Sequence, residues 1–272
     1  MDRPSQAGDV SMSFFRPLNT TYKLSGRVIL VPVVSVGNVA QLAADLLIAS
    51  LKLDRVGVFD PKYLVPVVGA REDSDGTGGL TTPIELFGEV SNTIAVIQQR
   101  SPVLKSSKQQ FTDTLLEFIR NSGVSAVIFM GGVDTSDRTD SQMHTPTTFI
   151  LPPVSPPLDG GPLASLTDLP VPPYSSPLPR DLRSEGSSWP VPFIPGGGIT
   201  YRLLSSIPDS WQIPTVCLLQ YAMEGDNRLD AQLLATVAAK ALGSTAVIST
   251  WTQPTAWVHG LFGTPHDQTL YG

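Results

Sequence analysis

Residues 27–34 are apolar on both faces, reading Val-Ile-Leu-Val-Pro-Val-Val after Arg27. A β-branched run with no polar face predicts a central strand of a parallel sheet, with Pro32 removing one ladder donor near its end. After Ser35-Val36-Gly37-Asn38 the period changes: Val39, Leu42, Ala43, Leu46 and Leu47 recur at helical spacing, and Gln41, Asp45 and Lys52 mark a polar stripe. Asn38 followed by Gln41 has the spacing of a capping box, so the strand is expected to turn directly into the helix. A second strand over 55–59 completes a β-α-β unit with parallel strands and a right-handed crossover. Residues 83–90 and 93–99 read as a hairpin turning near Ser91-Asn92. An amphipathic helix over 107–121 buries Phe111, Leu115, Phe118 and Ile119, and 125–130 is another buried strand.

Beyond Gly131 the rhythm breaks. Residues 151–195 hold 13 of the chain's 25 prolines, and proline at that density opposes both helix and sheet. The expectation is a long, mostly disordered loop over about 134–190. Order resumes with Phe193-Ile194-Pro195-Gly196-Gly197-Gly198-Ile199-Thr200, a short helix, a strand over 214–222 and the turn Glu224-Gly225-Asp226-Asn227. A helix carrying Leu229, Leu233, Val237 and Leu242 follows. The helices near Val39 and Leu229 hold more apolar positions than one sheet face needs, which predicts a patch that a partner covers. The alternating elements give a three-layer α/β/α fold with a mostly parallel central sheet. Residues 1–23 read as a flexible leader, 24–272 as a single domain and about 263–272 as a tail.

Charge and chemistry narrow the function. A net charge of −6 and a pI near 5.0 leave no basic excess to neutralise phosphates, so neither nucleic acid nor an acidic membrane is an expected partner. The apolar run 39–51 is too short to span a bilayer and the N-terminus lacks the apolar core of a signal peptide. The single cysteine, Cys217, lies in the apolar run Val216-Cys217-Leu218-Leu219. It reads as a core side chain in a chain of reducing compartments, cytoplasm and nucleus. His144, His259 and His266 lack the spacing of metal ligands, and no cofactor is expected. Gly196-Gly197-Gly198 before a helix reads as a tight turn. The alternative is an anion cradle in an α/β enzyme of nucleoside phosphorylase or hydrolase type. Ser35, Gly37 and Asn38 occupy the strand-to-helix position where α/β folds bind ligands, and capping plus a glycine turn also accounts for them. Glu224 and Asp226 read as ordinary complements to a helix dipole.

Four blocks, in order, carry a resemblance. Val33-Val34-Ser35-Val36-Gly37-Asn38-Val39-Ala40-Gln41-Leu42-Ala43-Ala44-Asp45-Leu46 resembles the N-terminal motif of the proteasome assembly chaperone 2 family. Tyr63-Leu64-Val65-Pro66-Val67-Val68-Gly69 is similar as well. Ile194 to Thr200 resembles that family's glycine-rich segment and Glu224-Gly225-Asp226-Asn227 its acidic turn. The resemblance covers roughly residues 24–131 and 192–245, and 134–190 depart from it in length and proline content. It implies a non-catalytic subunit that pairs with proteasome assembly chaperone 1 and sits on the α-ring of the 20S core particle, promoting assembly and blocking off-pathway association. It also implies that Ser35, Gly37, Asn38, Gly196, Gly197, Gly198, Glu224, Asp226 and Asn227 serve protein binding. Leu270-Tyr271-Gly272 resembles the hydrophobic-tyrosine-any tail with which fungal members enter pockets between α-subunits.

Overall fold

The computed structural model describes residues 14–70, 79–177, 191–243 and 248–257. The chain begins with β1 (Phe15–Pro17) and β2 (Val28–Pro32), then α1 (Val39–Leu51) and β3 (Asp54–Phe59). A two-residue pair, β4 (Gly69–Ala70) and β5 (Leu80–Thr81), precedes the hairpin of β6 (Ile84–Gly88) and β7 (Ile94–Gln99). Next come α2 (Lys108–Asn121), β8 (Ala126–Asp134), β9 (Thr147–Ile150), α3 (Gly198–Ser205), β10 (Thr215–Ala222) and α4 (Arg228–Ala241).

Eight strands form one sheet in the order β1-β3-β6-β7-β2-β8-β10-β9. Its four central strands, β7, β2, β8 and β10, pair in parallel. Two antiparallel steps separate β3 from β7, so five strands share one direction and the sheet is mostly parallel. The expected β-α-β unit is present, but its two strands are not neighbours: the β6-β7 hairpin lies between β2 and β3. Side chains alternate between two cores. Ile29, Val31, Val127, Phe129 and Leu219 join α2 and α3 on one face. Leu30, Ile128, Met130, Val216 and Leu218 join α1 and α4 on the other, completing three layers.

The second core accounts for the surplus of apolar positions on α1. Nine of its residues are buried, because α4 packs beside it and Ile248, Trp251 and Trp257 of the segment after α4 join the same cluster. Thr252 N–H donates to Ser50 Oγ at 2.9 Å, fastening that segment to the end of α1. The patch expected on α1 is therefore covered by the chain itself. Small residues bring the helices together: Ala40, Ala43 and Ala44 of α1 and Ala231, Ala235 and Ala238 of α4 are fully buried. Ala235→Leu should cost about 2 kcal/mol by overpacking this contact, read as a lower urea midpoint at unchanged slope.

Two expectations change. Residues 134–177 are built into the fold rather than disordered. β9 pairs with β10, and Leu158, Leu163 and Leu166 are buried against the α1 and α4 core. The prolines here lie along the sheet edge instead of inside it: Phe149 N–H donates to Pro172 O and Tyr174 N–H to Phe149 O, so this stretch fences β9. The rest of that expected loop, 178–190, lies outside the described residues, as do 1–13 of the leader. The leader's end, from Phe14, is part of the domain. Phe14 and Phe15 stack with Phe59 and Phe118 at centroid distances of 5.0 to 6.3 Å, and β1 pairs with β3. Aromatic burial decides the outcome here.

Candidate functional site

The turns at the C-terminal ends of β2, β8 and β10 gather most of the residues singled out by the sequence. Parallel strands that start together must also end together, so segments far apart in sequence meet at one rim. Ser35 Oγ accepts from Gly132 N–H at 2.7 Å, tying the turn after β2 to β8. Gly37 N–H points to Glu224 Oε1 at 3.4 Å. Asn227 Nδ2 donates to Gly37 O at 3.1 Å, Met223 O at 2.7 Å and Gly225 O at 3.2 Å, tying the turn after β10 to the turn after β2. Asn227 occupies the N-cap position of α4 without capping it, because its buried amide is spent on this bridge.

Gly37 and Asn38 both take left-handed conformations, with φ of 58° and 50°. In that conformation Asn38 makes no side-chain cap, so the expected capping box with Gln41 does not form. Gln41 is buried instead, and its backbone carbonyl accepts from Gln98 Nε2 at 2.9 Å. Gly131 and Gly132 are functional-site residues that sequence reasoning missed. A Cβ on Gly132 would lie 2.8 Å from Val39 at the start of α1, and one on Gly131 would lie 3.1 Å from Thr200 near the start of α3. The bare end of β8 thus lets two helix N-termini close on the sheet from opposite faces. Two adjacent glycines inside an apolar strand were the available signal.

Gly196, Gly197 and Gly198 stand on the α3 side of the sheet, away from the Gly37–Asn227 bridge. Gly197 N–H donates to Ile194 O at 2.9 Å, and a Cβ on Gly197 would lie 2.6 Å from the Ile194 Cβ, which fits the tight-turn reading. Glu224 and Asp226 are exposed on the rim. Hydrogen bonds from Arg228 hold the Asp226 carboxyl below the usual carboxylate range. Cys217 is buried and burial pushes its thiol up, so it is no thiolate nucleophile near neutral pH. Around this rim lie exposed apolar side chains: Met223, Leu229 and Leu233 beside the acidic turn, and Val67, Val68 and Leu80 in the segment bearing β4 and β5. The arrangement is a surface of fixed backbone turns and apolar side chains, with its polar groups largely engaged by one another, and such a surface suits protein docking. Leu270, Tyr271 and Gly272 lie outside the described residues.

The PAC2 family model matches residues 29–245. The proteasome assembly chaperone 2 of Homo sapiens is 32% identical over 261 residues, covering 91% of this chain and 96% of that one. The protein of the same name from Bos taurus is 30% identical over 260 residues, with the same coverage. Among solved structures, Pyrococcus furiosus PbaA, an archaeal homolog of proteasome-assembly chaperone, superimposes with a TM-score of 0.60 at 16% identity, covering 84% of this chain and 86% of that chain. PbaB from the same organism, an archaeal proteasome activator, gives 0.54 at 15% identity, covering 87% and 93%. The structural likenesses establish the three-layer fold. With a family match across most of its length and relatives above 30% identity over nearly all of theirs, the chain belongs to the PAC2 family, among sequences named proteasome assembly chaperone 2.

Proposed function

We propose that this chain is a non-catalytic proteasome assembly chaperone subunit. It pairs with proteasome assembly chaperone 1 and docks on the α-ring of the 20S core particle, promoting assembly and blocking premature or off-pathway association, in cytoplasm and nucleus. The observation that carries this reading is identity of 30% and 32% to proteins named proteasome assembly chaperone 2 across 91% of the chain. The rim supports it in kind, because its hydrogen-bonding groups serve one another and its apolar side chains face outward. Leu270 and Tyr271 supply a second contact, an apolar anchor and a phenol for a groove between α-subunits. Tethering to a domain already on the ring raises their effective concentration.

Two measurements test this. Expressed alone, the chain should self-associate or precipitate, and co-expression with proteasome assembly chaperone 1 should give a one-to-one complex in gel filtration. Immobilised complex should then capture α-subunits identified by mass spectrometry, and Leu270→Ala with Tyr271→Ala should lower that capture about tenfold while pairing with the partner is unchanged. A complex that captures no α-subunit, or a chain that ignores the partner, refutes the corresponding half of the proposal.

A further inference from the structure

The outer face of α4 is apolar where a surface helix is ordinarily polar. Its inner positions, Ala231, Leu234, Ala235 and Ala238, are buried in the α1 core, yet Leu229 is 78% exposed, Leu233 46% and the neighbouring Met223 61%. Leu229, Leu233 and the half-buried Val237 follow one another at four-residue spacing and form a stripe about 12 Å long. The charges at its ends differ in sign. Asp226 stands before the first turn of α4, with its side chain 46% exposed. Lys240 stands in the last turn, exposed, with no ion pair among the described residues.

The spacing is symmetric about Leu233. Leu229 and Val237 each lie four residues from it, and Asp226 and Lys240 each lie seven, close to two helical turns. Two such stripes laid antiparallel about a two-fold axis at Leu233 set Leu233 on Leu233, Leu229 on Val237, and Asp226 on Lys240 twice over. An isologous interface requires this kind of self-complementarity. We propose that the outer stripe of α4 is a docking surface that a second copy of this chain covers, helix antiparallel to helix, when no other partner is bound. This gives a surface to the self-association expected above and rests on that expectation. It makes no use of α-ring binding, so capture of α-subunits and the measurement below succeed or fail separately.

The test is sedimentation equilibrium on the full chain at micromolar concentration, with circular dichroism to verify the fold of each variant. The parent should be a dimer. Leu233→Glu places two carboxylates at the axis and should raise the dissociation constant at least about tenfold. Lys240→Glu alone and Asp226→Lys alone should each weaken the dimer about tenfold, since each homodimer then opposes like charges at both ends. An equimolar mixture of those two variants restores opposite charges at both contacts and should dimerise as the parent does. Both sites are exposed, so neither change threatens the fold. A monomeric parent, a dimer indifferent to Leu233→Glu, or a mixture that shows no recovery each overturns the proposal.

Discussion

Replacing Gly37 by alanine is expected to lower the unfolding free energy by about 4 kcal/mol. The backbone there has φ of 58°, a conformation costing a residue with a Cβ about 1 kcal/mol. The larger part is contact. A Cβ on Gly37 would sit 2.1 Å from Asn227 Nδ2 and 2.6 Å from Met223 O, so Asn227 must leave the position from which it donates to three carbonyls. Each of those bonds contributes about 1 kcal/mol, and a displaced buried amide loses its partners without gaining water. Gly26 is the control: its φ is 77°, with no atom within 4 Å of an added Cβ. Gly26→Ala should therefore cost only about 1 kcal/mol. Urea unfolding of both variants separates strain from contact, and equal losses would show that the Asn227 bridge contributes nothing.

Glu85→Ala should cost about 3 kcal/mol. The Glu85 side chain is 1% exposed, accepts from Arg55 NH1 at 2.7 Å, and takes the Thr82 N–H and Oγ at 3.1 and 3.2 Å. Removing it leaves a partly buried guanidinium with one remaining partner, Leu80 O at 2.9 Å. Because Arg55 and Glu85 join β3 to the turn that enters β6, the segment bearing β4 and β5 should loosen with the loss. Hydrogen exchange at the Thr82 amide should accelerate in Glu85→Ala more than in Glu85→Gln, which keeps an acceptor in place. Identical stability of the two variants would show that the charge is immaterial.

Much of this architecture is legible in the sequence, and the reasons for the remainder are physical. The strands over Val28–Pro32, Ala126–Asp134 and Thr215–Ala222 announce themselves because a strand buried on both faces has no polar positions to confuse the pattern. The hairpin of β6 and β7 is legible for its turn, where Asn92 Oδ1 accepts from Ile94 N–H at 3.0 Å. β9 is not legible: four residues, Thr147–Ile150, precede a proline-rich stretch whose composition reads as disorder until the sheet edge gives its carbonyls a use. The site was half visible. Gly37 and Asn227 stand out as turn residues, but a hydrogen bond spanning 190 positions leaves no trace in either neighbourhood. The apolar excess on α1 was visible and misassigned, because periodicity records that a face must be covered and is silent about what covers it.

That covering has a consequence for how the protein is made. α1 spans Val39–Leu51, whereas the helix and strap that bury it lie at Arg228–Ala241 and 248–257. At a synthesis rate of about 5–20 residues per second, the nascent chain carries α1 for roughly 10–40 s before the last residues of α4 are made. Throughout that interval one of the most apolar helices of the chain has no cover of its own. Completion of the domain is thus tied to the end of translation, and the emerging polypeptide is itself a client for holding factors before it can act on any other protein.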